Sequence, residues 1–181
     1  MNVTYEHKPA MTFIGYSTSI RPEEGYQKCP EFWEKAYARK YARLWQTMKP
    51  ETAVERAILE NGVGLFAICD EREGAFEYWI AGLYQGGDVP EGLKLYTFPE
   101  SDWAQFRAKG PLPGSLQALN TKVWQEWYPT RDGNTGETEA PCWRSTPPAI
   151  CKAPITSAGS GCRFAGTKKK MSRKQRRSYP R

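Results

Sequence analysis

The sequence predicts an α+β fold, and three observations carry that prediction. Two segments, 33–48 and 116–127, place apolar residues at helical spacing. Around them run short stretches rich in β-branched and aromatic residues, bounded by Pro and Gly. One such pair reads as a hairpin across a polar, Gly-ended turn. Strands grouped in pairs around helices point to an antiparallel sheet carrying helices.

Each element has its own reason. Residues 2–8 and 11–18 read as strands around Pro9, with Thr4, Tyr5, Phe13, Ile14 and Tyr16 supplying strand-forming residues. Pro30 suits the first turn of a helix, and Glu31 and Glu34 favour its positive end. Trp33, Tyr37, Tyr41, Leu44, Trp45 and Met48 then form one continuous helical face. Residues 51–60 fit a short helix closed by Asn61-Gly62. The hairpin joins 63–69 to 76–84 across residues 70–74. In its second strand Phe76, Tyr78, Ile80, Gly82 and Tyr84 share one face, and Glu77, Trp79, Ala81 and Leu83 the other. Both faces are largely apolar, so both sides must be covered, one by a helix and the other by a ligand. Residues 93–98 and 103–107 read as two more strands. A second helix over 115–128 follows, with Leu116, Leu119, Val123 and Trp127 on one face and Pro129 as its stop. The stretches 8–14 and 98–104 echo one another, each sitting between strands ahead of a helix. The fold is thus a duplicated module with two main helices.

Composition divides the 181-residue chain at about residue 130. Residues 1–130 hold 14 Lys/Arg against 17 Asp/Glu, a net charge of −3, and 21 of the 24 aromatic residues. Residues 131–181 carry a net charge of +9, contain no Leu or Val, and are rich in Pro, Gly and Ser. The first part can bury a core; the second has the make-up of a disordered basic tail. The first 14 residues lack the pattern of a signal peptide, and no run of 18 apolar residues occurs, so a cytoplasmic protein is expected. The five Cys form no CxxC pair, and the single His, His7, has no ligand partner at useful spacing. Neither a disulfide framework nor a metal site is expected. No Gly-rich phosphate loop and no helix-turn-helix can be placed.

The order Phe76–Ala81, Val89–Leu93, Tyr96–Pro99, Trp103–Phe106, Gly114-Ser115 and Trp124–Pro129 resembles the effector-binding domain of AraC-type and multidrug-type bacterial regulators. It is closest to the stand-alone, integron-cassette-associated branch of the gyrase-inhibitor-like domains, and Pro30–Trp33 fits as well. The resemblance implies two strand–helix–strand modules forming a concave antiparallel sheet. A cleft between the halves would bind a lipophilic, cationic small molecule without a cofactor. Aromatic walls suit a cation. The ligand-contact candidates are Tyr78, Trp79, Tyr96, Trp103, Phe106 and Trp127, with Glu77 as a carboxylate.

The family places a buried Glu on the strands after the second helix. Residues from about 131 depart from that pattern, so the second module is expected to be incomplete and to need a partner chain, such as a second copy in a homodimer. Loss of Leu and Val where two strands are due is what a shifted reading frame would leave, a hypothesis that sequencing the source gene tests. Two other functions follow from single features. A carboxylate among Glu77, Asp102 and Glu126 could serve a hydrolase of lipophilic electrophiles by activating water. The run Lys168, Lys169, Lys170, Arg173, Lys174, Arg176 and Arg177 could bind nucleic acid through phosphate contacts alone.

Overall fold

A computed structural model of the chain describes residues 3–72, 74–111, 114–127, 142–145 and 160–166. Strand β1 (Val3–Lys8) and strand β2 (Met11–Ile20) are followed by helix α1 (Gly25–Glu31), a π-helical segment (Phe32–Ala38), α2 (Ala42–Thr47) and α3 (Ala53–Asn61). Then come β3 (Phe66–Arg72), β4 (Ala75–Leu83), β5 (Lys94–Phe98) and β6 (Ser101–Ala108). Helix α4 (Gly114–Lys122) runs into a second π-helical segment (Val123–Trp127), and β7 (Cys142–Ser145) and β8 (Ser160–Gly166) complete the order. The fold is α+β, as the sequence predicts.

All eight strands join one antiparallel sheet in the order β1-β6-β8-β7-β3-β4-β2-β5. This order is a mirror about the β7·β3 pair. Module one contributes β2-β4-β3 and module two β6-β8-β7. Each module's first strand crosses over: β1 pairs with β6, and β5 pairs with β2. The echo between 8–14 and 98–104 therefore marks equivalent corners.

Those corners curl the sheet. Eight strands laid flat would span on the order of 33 Å. Only Pro9-Ala10 links β1 at one end to β2 near the other, and Pro99-Glu100 links β5 to β6 in the same way. Each link reaches no more than about 11 Å. The two ends of the sheet must therefore approach each other, and one face becomes concave.

The helices cover the other face. Ile14 and Ile80 pack against Tyr37, Tyr41, Leu44, Ala57 and Ile58, while Ala104 and Phe106 pack against Leu116 and Val123. The first helix starts earlier than its pattern implies, at Gly25, with Pro30 inside it. Pro30 has no N–H to donate and crowds the preceding turn. The backbone widens just beyond it, and the Arg39 amide bonds back five residues to Glu34 (2.9 Å). Met48 leaves the apolar face: it is 46% exposed and caps α2 in the left-handed region, at φ 54°. The hairpin turn is tighter than 70–74, because Arg72 already pairs with Ala75 and Gly74 turns at φ 72°.

The sequence reading leaves the second module without its last two strands, and the structure supplies both. β7 pairs with β3, β8 with β6, and they pair with each other. Both lie between flanking strands whose N–H and C=O groups need partners. Main-chain pairing satisfies them without Leu or Val, and strand preference yields to such context.

Candidate functional site

The two faces of the sheet hold different aromatic sets. On the concave face Phe13, Ile68, Trp79, Ala81, Phe98 and Trp103 form one buried cluster, with Met11, Phe66 and Tyr96 half-buried at its margin. None of its members is helical. The rings meet at an angle rather than stacked: Tyr96 lies 5.4 Å from Trp79 and 4.8 Å from Phe98, and Phe98 lies 5.1 Å from Trp103. Phe13 and Trp103, both fully buried, hold equivalent places in the two modules. The wall thus draws on both halves of the chain.

Register explains the set. Phe13 faces Tyr96 and Met11 faces Phe98 across β2–β5. Ile68 faces Trp79, Phe66 faces Ala81, and Asp70 faces Glu77 across β3–β4. Alternation puts these pairs on one side of the sheet. Asp70 and Glu77 are thus two carboxylate residues directly opposite each other, one pleat beyond Trp79. Such a pair is unfavourable unless positive charge lies near. Further along this face, Glu6 receives the Gln105 amide and the Lys8 ammonium.

Of the residues named from sequence, Trp79, Tyr96 and Trp103 come together here, and Glu77 shares their face. Tyr78 does not. It lies on the helix side with Ile20, Phe32 and Trp33, and its hydroxyl accepts the Trp33 indole N–H at 2.8 Å. Phe106 and Trp127 pack edge to face at 4.8 Å beneath α4, also on the helix side. These three placements share one cause: alternation along β4 and β6 turns neighbours to opposite faces. Phe13, Phe66, Phe98 and Asp70 join the concave face although the sequence reading did not single them out. Their strand parity, in step with Trp79 and Tyr96, was the available signal.

The alternative carboxylates do not assemble. Glu126 is exposed on the second π-helical segment, on the helix side, while Glu77 lies on the concave face. Asp102 sits on β6 in register with His7 and Gly166. The His7 Nε2 lies 3.0 Å from Glu100 Oε1 at the exposed corner. No cluster of metal-ligating side chains occurs among the described residues. Residues 168–177, with the basic run, lie outside them, and no described helix is long and apolar enough to cross a membrane.

The helix side also carries aromatic residues, but they serve structure. Tyr16 and Tyr41 stack there with Tyr37 edge-on to both, and burial pushes the Tyr16 and Tyr37 phenols far up. A groove of about 260 Å³ lies between the end of β2 and α1, lined by Thr18, Glu24, Lys28, Glu31, Phe32 and Lys35. Both its lysines reach the single Glu31 carboxylate, at 3.9 and 3.7 Å.

A curled antiparallel sheet with helices outside and an aromatic interior defines the class: an α+β domain built around a concave apolar surface. The model of the GyrI-like small molecule binding domain matches residues 1–142, and the chain belongs to that family. No curated protein matches it. Three solved structures are similar. One is a bacterial transcription regulation protein from Staphylococcus aureus MU50, with 19% identity, TM-score 0.61, and 91% of this chain and 97% of that one covered. Another is SAV2435 bound to tetraphenylphosphonium, with 18% identity, TM-score 0.59, and 91% and 92% covered. The third is an integron cassette protein from Vibrio cholerae, with 11% identity, TM-score 0.56, and 90% and 94% covered. At these identities the likeness is one of fold.

Proposed function

We propose that this protein binds a lipophilic cation within its curled sheet, as a ligand-sensing module. The observation that carries the reading is the joining of Trp79, Tyr96 and Trp103 with Phe13 and Phe98 on the face of the sheet opposite the helices. Rings hold a cation over their faces and bury large area at low entropic cost. Asp70 and Glu77, opposed across β3–β4, supply the negative charge for which the family uses a Glu further along the chain. Tyr96 and Met11, half-buried, form the way in. That SAV2435 takes tetraphenylphosphonium on a similar fold favours the same ligand class here.

The domain in this reading extends past residue 130, because β7 and β8 fill the middle of the sheet. Calorimetric titration of the full chain with tetraphenylphosphonium tests it. Saturable binding near micromolar Kd is expected, weakened about two- to fivefold by Glu77→Gln, the scale of one partly exposed ion pair. No saturable heat up to millimolar ligand overturns it.

A further inference from the structure

We infer that the ligand of this cleft carries a neutral hydrogen-bond acceptor, such as a ketone, ester or ether oxygen, and that the Trp79 indole N–H donates to it. The inference rests on the binding reading above and adds a chemical requirement that a bare tetraaryl cation does not meet.

Trp79 is only 3% exposed, and its Nε1 is buried with no acceptor among the described residues. Buried indole N–H groups ordinarily find one, because desolvating a donor without a replacement bond is costly. No described neighbour accepts a hydrogen bond from it. Ile68 holds the opposite position on β3, and Tyr96 lies against the ring at 5.4 Å. Across β2 the opposite residue is Ser17, whose Oγ accepts from Lys94 Nζ at 3.2 Å and makes no bond to the indole. A trapped water would need two to four polar partners including acceptors, and the fully buried members of this cluster offer only the Trp79 and Trp103 indole N–H groups, both donors. The donor is therefore left for a group from outside, arriving past the half-buried Tyr96 and Met11.

Two lipophilic cations of one shape separate the ideas: (4-benzylbenzyl)trimethylammonium and (4-benzoylbenzyl)trimethylammonium, which differ by CH₂ against C=O. Calorimetry with the full chain should give the ketone a Kd roughly three- to tenfold lower, the range of a net neutral hydrogen bond. Trp79→Phe should weaken both compounds and bring their ratio to about one. With ¹⁵N-Trp-labelled wild-type protein, one indole N–H signal should move downfield with the ketone and not with the methylene compound. That readout stands even if the variant fails to fold. Equal affinities, or a ratio that survives Trp79→Phe, overturn the acceptor inference and leave the cleft reading intact. No binding of either compound overturns both.

Discussion

The Trp33 indole donates to the Tyr78 hydroxyl at 2.8 Å, tying the first π-helical segment to the centre of β4. This bond gives Tyr78 a structural task on the helix side of the sheet. Tyr78→Phe should leave Trp33 without its acceptor and cost about 1–2 kcal/mol of stability. The affinity for tetraphenylphosphonium should stay within twofold of wild type. Urea unfolding and calorimetric titration of one preparation check both halves of that statement.

Gly82 lies where β4 passes beneath the end of α3. A Cβ there would come within 2.0 Å of the Asn61 carbonyl oxygen and 2.6 Å of the Val63 nitrogen. Both are backbone atoms at a turn fixed by the Gly62 cap at φ 62°, so neither can yield cheaply. Gly82→Ala should lower stability by at least ~2–3 kcal/mol, or prevent folding. Gly74→Ser, with open space around its missing Cβ but a left-handed φ of 72°, should cost less, about 1–2 kcal/mol. Thermal melts of the pair decide it.

Helix α3 begins in a capping box. Thr52 Oγ1 accepts the Glu55 amide at 3.1 Å, and Glu55 Oε2 accepts the Thr52 and Glu51 amides at 3.1 and 2.7 Å. The Glu51 amide first, then the Arg43 guanidinium, hold the Glu55 carboxyl below the usual carboxylate range. A carboxyl lowered on folding stabilises above its unfolded pKa, near ~4.3, and stops doing so as pH falls through the folded value. Stability should therefore drop below about pH 4, and Glu55→Gln should flatten that part of the profile. Denaturant midpoints between neutral pH and pH 3 measure the slope.

Strands β7 and β8 separate β3 from β6 in the middle of the sheet. A chain ending at residue 130 would bare two long edges at once, each a template for unwanted pairing. Its soluble yield should collapse, or it should run as aggregate on size exclusion with light scattering. A sharp monomer peak with native melting would contradict the central placement of these strands.

The helices were the most legible part of the sequence. Leu116, Val123 and Trp127 sit where their spacing puts them, because 3.6-residue periodicity fixes a face locally. The candidate site was half legible. Alternation along β4 separates Tyr78 from Trp79, but both faces are apolar, and only the register with β2 and the packing of α1 decide which one meets the helices. Asp70 looked like part of a turn because Asp-Glu-Arg-Glu-Gly is polar, yet pairing carries the strand through Arg72. β7 and β8 escaped notice because their apolar content is low and their places are set by the neighbouring backbones.

The crossing of the two first strands bears on how the chain reaches this state. The Glu6 carboxylate meets Gln105, 99 residues along the chain. At ribosomal speed the first strand would wait on the order of 5–20 s for its neighbour to be made. Until then its amides face water, and neither half can close its own sheet. Assembly dominated by such distant pairings is slow. A slow refolding phase, and a need for protection while the nascent chain is only half complete, follow from two short Pro-containing corners.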